Sequence, residues 1–307
     1  MSETPTIQIW NTLKIKSSEE LNPITNDFVV KLVEAKQMPQ SLEVEVDAEW
    51  QKNVQKNPKA KNAPIIYLED PLNEGCYNDG EPFVIAHASV RGFKYTHAFN
   101  RTKEFHARTN ELSDYRLLSF STHGHLITRD GKILFGTKKN QFNQISGFGG
   151  FPNVAEDADG SFLDVYRTVK NRLKPEIGDL VQAIRNITAV GIVYVDTPAL
   201  RGTDSDYVVE LDETATNVQK KFEESYQFER RLHIVEFEPA KMCDFIKDVH
   251  QKGGVMSNYA MGCLYAETKA FFGAPEAEKI LEAVRSVGAS IEAVNRTTYF
   301  EQKSVAP

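Results

Sequence analysis

Cysteine is nearly missing from this sequence. Three residues of 307, Cys76, Cys243 and Cys263, are too few and too scattered for a disulfide framework or a zinc cage. An odd number of thiols suits a reducing compartment. Long apolar runs are missing as well: no stretch approaches a membrane span, and the opening MSETPTIQIW has neither the basic nor the apolar block of a secretion signal. A cytoplasmic protein without a membrane partner is the expectation. Positive charge is not in excess either. Lys+Arg 36 against Asp+Glu 43 gives a net charge of −7, which argues against general nucleic-acid binding, because neutralising a phosphate backbone takes a basic surface. Internal repeats and low-complexity tracts are also lacking. What remains is an ordinary globular mixture, 41% hydrophobic and 26% charged, long enough for one large or two modest domains.

The most informative stretch runs from Ile145 to Leu180, ISGFGGFPNVAEDADGSFLDVYRTVKNRLKPEIGDL. Gly147, Gly149 and Gly150 permit a tight turn that a Cβ would resist. Phe162, Val165, Val169 and Leu173 then recur at helical spacing, and Gly178 is a natural residue just past a helix end. A glycine turn feeding a charged helix is an ion site in outline.

That stretch resembles the box of the Nudix hydrolase superfamily: Gly, five residues, Glu, seven residues, Arg-Glu-aliphatic-any-Glu-Glu-any-Gly. Gly150 and Glu156 have its spacing, and Leu173, Glu176 and Gly178 agree with its second half. The box Arg is replaced by Asn171, two helix carboxylates are replaced by Arg172 and Pro175, and the intervening loop is seven residues longer than the motif. The resemblance implies a Nudix-type α/β/α sandwich with a mixed sheet, spanning residues 113–273. An N-terminal α+β extension (1–112) would precede it, and a C-terminal amphipathic helix and tail (274–307) would follow. It also implies a ligand built on a nucleoside diphosphate and a divalent ion, Mg2+ or Mn2+, held by Glu176 and Glu156 as catalytic carboxylates, with Asp157 and Asp164 of the inserted acidic loop as further ligands. Magnesium needs several carboxylate oxygens, and one helix glutamate is a poor cage. Arg172 and Glu176 are also i,i+4 partners. The helix is basic instead, through Arg167, Lys170, Arg172 and Lys174, so a phosphate could be held directly by cations and by the Gly149–Gly150 turn. The commoner reading of such bases is a solvated face.

Further upstream, Ala48, Trp50, Pro58, Ala63, Pro64 and Leu68, and later Tyr95, Phe99 and Thr102, resemble the Nudix subgroup that hydrolyses UDP-glucose and UDP-galactose. His97, Arg101, Lys103, His106 and Arg108 form the densest cationic cluster, with His97 and Arg101 as candidate diphosphate donors. The interleaved aromatics fit core spacing better than a binding surface.

Two apolar runs flank Arg129-Asp130-Gly131, a strong hairpin signal. Gly136 and Lys138 fall where the resembling hairpin carries its glycine and its basic ligand residue. His123 and His125 alternate with apolar neighbours and should share one face, more as a satisfied pair than as metal ligands. Asp204, Asp206, Glu210, Glu224 and Glu229 could supply one more metal carboxylate, but loop and helix solvation explains all five. The closing run APEAEKILEAVRSVGASIEAV reads as an amphipathic helix that docks on the domain or mediates self-association in a homodimer. Three functions follow: a nucleoside-diphosphate binder with weakened or lost hydrolysis, an active Mg-dependent pyrophosphohydrolase, or an interaction scaffold.

Overall fold

The computed structural model describes residues 6–11, 28–69, 73–76, 82–108, 111–115, 117–138, 144–197, 200–224 and 230–294. The protein is mixed α/β. Strands β1 (Thr6–Asn11) and β2 (Phe28–Leu32) are followed by helix α1 (Gln40–Lys56), β3 (Pro64–Leu68), β4 (Asn73–Cys76) and β5 (Pro82–Gly92). Helices α2 (Lys94–Arg101) and α3 (Lys103–His106) lead into β6 (Leu118–Thr128), β7 (Lys132–Lys138), β8 (Gln144–Ser146) and β9 (Phe148–Gly150). Next come α4 (Val154–Asp157), β10 (Ala158–Asp159), β11 (Phe162–Leu163), α5 (Val165–Ile177), β12 (Ile184–Thr197) and β13 (Leu200–Leu211). The chain closes with α6 (Ala215–Glu224), β14 (Arg230–Glu236), α7 (Pro239–Gln251), β15 (Val255–Met256), α8 (Asn258–Phe272), α9 (Ala274–Ser286) and β16 (Ser290–Val294).

One mixed sheet organises these elements. Its longest path runs β10-β11-β2-β5-β3-β6-β13-β12-β1-β16, and β7, β8, β9, β14 and β15 branch from it around β6. Alternation along the central strands sorts side chains between two cores, as period-two geometry requires. Val193, Val195 and Val208 face α7, α8 and α9, while Ile192, Tyr207 and Val209 face α5 and α6. Helices therefore cover both faces, giving three layers. A third cluster, built on Leu42, Val46, Tyr67, Tyr95, Phe99 and Phe105, packs α1 and α2 against β3.

Local signals held. The Asp-Gly turn joins β6 to β7, with Gly131 at φ 71° and its N–H donating to the Thr128 carbonyl at 2.9 Å. Trp50, Tyr95, Phe99 and Phe105 are core residues. Asn73–Cys76 pairs antiparallel with β5. Two segments differ from the reading of the sequence. Leu200–Asp206, expected as loop, forms the first half of β13, in register with β6 and β12. The last amphipathic run breaks at Gly288 (φ 81°), and its end becomes β16, parallel to β1. Strand β1 in turn pairs with β12, so the first and last described segments complete the central sheet. Helix α9 docks through Ala277, Ile280, Leu281 and Val284 on the core shared with α7 and α8. Among the described residues no helix is long and apolar enough to cross a membrane.

Candidate functional site

The glycine turn between β8 and β9 is gripped from two sides. On one side the Gly147 N–H donates to His123 Nε2 at 3.1 Å, and on the other the Gly149 N–H donates to Glu176 Oε2 at 3.0 Å. Gly149 sits at φ 141°, and a Cβ there would overlap the Thr122 carbonyl oxygen; a Cβ on Gly147 would overlap that of Gly124. Close strand approach dictates glycine at both positions. Gly150 is different, since its Cβ would make only ordinary contact with Arg172 Cδ at 3.7 Å.

Helix α5 rises beside this turn. Its N-cap is Asp164, whose Oδ1 accepts the Arg167 N–H at 2.8 Å and whose Oδ2 lies 3.3 Å from Arg167 Nε. Pro175 stands in the last turn, and the helix stops at Gly178 with φ 55°. Arg172 reaches across to Glu156, with 3.0 Å between Nη2 and Oε2, while Glu176 turns to the backbone of Gly149. Asn171, in the place of the motif's arginine, donates to Asp157 Oδ1 at 2.7 Å, and Asp157 Oδ2 accepts the Asn153 N–H at 2.7 Å. Asp157 is thus a buried brace between the inserted loop and α5.

The magnitudes of these contacts differ. A carboxylate receiving a shielded backbone N–H contributes about 1.5–3 kcal/mol, whereas an exposed ion pair contributes about 0–1 kcal/mol. Glu176 is therefore committed to the turn. Arg172, with its side chain 24% exposed and its partner Glu156 at 56%, is easily redirected. Arg172 Nε is buried without a hydrogen-bond partner, and it is attached to the Cδ that abuts Gly150.

The four acidic residues proposed to hold a divalent ion do not fit one as they stand. Asp164 caps a helix, Asp157 braces a loop, Glu156 pairs with Arg172, and Glu176 holds the turn. Among the described residues no three His, Cys, Asp or Glu side chains are grouped as metal ligands.

The other sequence candidates lie apart from this arrangement or outside the described side chains. His97 packs edge-on against Trp50 (5.7 Å between centroids), and the Arg101 guanidinium lies over Phe93 at 5.4 Å, both on α2 in the N-terminal cluster. Burial and the charge of Arg101 hold His97 below its ordinary pKa. Lys174 is solvent-exposed on α5. Lys138 ends β7 opposite Gln144, and its side chain is outside the described set, as are those of Glu224 and Glu229.

Sequence reasoning placed Asp204 and Asp206 in a solvated loop, and the fold overturns that. Parallel pairing sets Asp204 opposite Ser121 and Asp206 opposite His123, and both carboxylates are buried under α8. A polar seam results. The Ser121 hydroxyl donates to Asp204, His123 Nδ1 lies 3.7 Å from Asp204 Oδ2, and His125 Nδ1 is 2.8 Å from Glu267. Burial lowers His125 to about 4, and burial reinforced by the Glu267 charge pushes Asp206 well above the carboxylate range. Glu267 is pushed up by burial too, so burial drives His125, Asp206 and Glu267 toward their neutral forms. The alternation of His123 with His125 and of Asp204 with Asp206 was the available signal.

No protein-family model and no curated protein matches the sequence. Among solved structures, a hydrolase of the NUDIX family from Clostridium perfringens is similar over 48% of this chain and 94% of its own, at 13% identity and a TM-score of 0.28.

Proposed function

We propose that this protein binds the diphosphate of a nucleoside-diphosphate-linked ligand of the UDP-sugar class on a Nudix-type scaffold, directly through cations, with hydrolysis weakened or lost. The observation that carries this reading is Arg172. It stands where the motif places a metal-binding carboxylate, beside a turn whose backbone is already fixed, with one buried donor lacking an acceptor and the other end in a weak, exposed pair. A buried donor without a partner costs about 1–3 kcal/mol. A phosphate oxygen at Gly150 would supply the missing acceptor and displace Glu156 at little cost. Lys174 adds positive charge to the same helix.

Hydrolysis needs a divalent ion against the diphosphate, and Mg2+ or Mn2+ bridging Glu176 and Glu156 would first require both to leave their present partners. Calorimetry with UDP-glucose in EDTA separates the two readings. Binding that persists without metal, and weakens by roughly tenfold or more in Arg172→Gln as expected for a lost charge-assisted bond, supports direct cationic capture. Affinity that appears only with Mg2+ or Mn2+, together with turnover abolished by Glu176→Gln, sinks it in favour of an active pyrophosphohydrolase.

A further inference from the structure

The turn's second grip, the His123 hydrogen bond, has a property the Glu176 grip lacks. Only an unprotonated Nε2 can accept the Gly147 N–H, so neutral His123 carries its proton on Nδ1, toward Asp204 3.7 Å away. Protonation would place an Nε2–H against the Gly147 N–H. Two donors would then face each other, and the bond would be lost.

The surroundings of His123 allow this to happen. Its side chain is 11% exposed, so it can exchange protons with solvent, unlike His125 at 0%. Asp204 on β13 places a carboxylate oxygen 3.7 Å from Nδ1. Asp206, its register partner on β13, is held protonated by burial and adds no opposing charge. Along β6, the His125 ring is 6.0 Å away, and its low pKa keeps it neutral. From α8, Tyr259 lies 6.3 Å away, Cys263 stands beside Asp206, and Glu267 is engaged by His125.

We propose that His123 is a pH-sensitive positioning residue: neutral, it latches the glycine turn through Gly147; protonated, it releases it. The latch is a property of the free protein. Its consequence for ligand capture rests on the function proposed above, and follows because Gly150 and Arg172 are set by the same turn. Acidification therefore loosens the site, and by linkage a ligand that requires the latched turn lowers the proton affinity of His123.

The test uses the full chain without ligand, so that its outcome is independent of what the site binds. Imidazole 15N shifts of the wild type at neutral pH are expected to show an unprotonated Nε2 on His123. Hydrogen-exchange protection at Gly147, corrected for intrinsic rate, is expected to fall about tenfold across the imidazole range of about pH 8 to 5, the worth of one backbone-type hydrogen bond. His123→Gln, whose side-chain oxygen can accept from Gly147 without titrating, should keep that protection at every pH, and His123→Phe should lack it at every pH. A wild-type ring protonated on Nε2, or a pH-dependence that survives in His123→Gln, overturns the latch. UDP-glucose affinity measured over the same pH range then reads the coupling. A latch that titrates without changing affinity would leave the switch intact and remove its link to ligand capture.

Discussion

The two grips on the glycine turn invite comparison. Glu176 holds Gly149 from the α5 face and His123 holds Gly147 from the α8 face, each by receiving one backbone N–H. Their settings are unlike. On the α5 rim the ionisable side chains reach water, as in the half-exposed Arg172–Glu156 pair. Under α8, His125, Asp206 and Glu267 are fully enclosed and are driven toward their neutral forms. One stretch of backbone is thus held from a water-exposed face on one side and from an enclosed one on the other.

Breaking the comparison at its centre should have the largest effect. Gly149→Ala forces a Cβ into the Thr122 carbonyl at a positive φ, so a loss of about 3 kcal/mol or more is expected in denaturant unfolding, while Gly150→Ala should cost less than about 1 kcal/mol. Equal losses at the two positions would mean that the turn is not pinned as described.

The buried seam comes next. Glu267→Leu leaves His125 Nδ1 enclosed without its partner and is expected to cost about 1–3 kcal/mol. The pH-dependence separates the members by sign. His125 has its folded pKa lowered to about 4 from 6.5, so the folded state binds fewer protons in that window and its contribution to stability is lost as pH falls through it. Glu267 is raised, so its contribution is fully present at acid pH and lost as pH rises above the ordinary carboxylate range. Thermal unfolding should therefore show the advantage of wild type over His125→Gln shrinking toward acid, and that over Glu267→Gln shrinking toward alkali. Parallel curves would contradict neutral burial.

Smaller effects belong to the rim. Glu176→Gln keeps an acceptor for Gly149 and loses only the charge, for about 1 kcal/mol. Arg172→Gln should change stability by less than about 1 kcal/mol while weakening ligand binding, a split that a purely structural arginine would not show.

Much of this was legible in the chain. The Asp130-Gly131 hairpin, the glycine turn and α5 are written in neighbouring residues, and the spacing of Leu173, Glu176 and Gly178 pointed to the turn. Contacts set by distant partners were not legible. That Glu176 would meet a backbone N–H, and that Arg172 would cross to Glu156, depends on how the inserted loop folds back through Asp157 and Asn171. Asp204 and Asp206 read as loop because polar residues dominate Arg201–Asp206; only parallel pairing with β6 and cover from α8 turn them into core. The strand at Ser290–Val294 was hidden because its partner, β1, lies at the opposite end of the sequence.

The central claim is that a diphosphate is captured at the Gly150 turn by Arg172 rather than through a metal on Glu176. Crystals soaked with manganese and UDP-glucose test it most directly. The expected density places the diphosphate against Arg172 and the turn with no anomalous peak beside Glu176; a manganese ion bridging Glu176 and the diphosphate would contradict it.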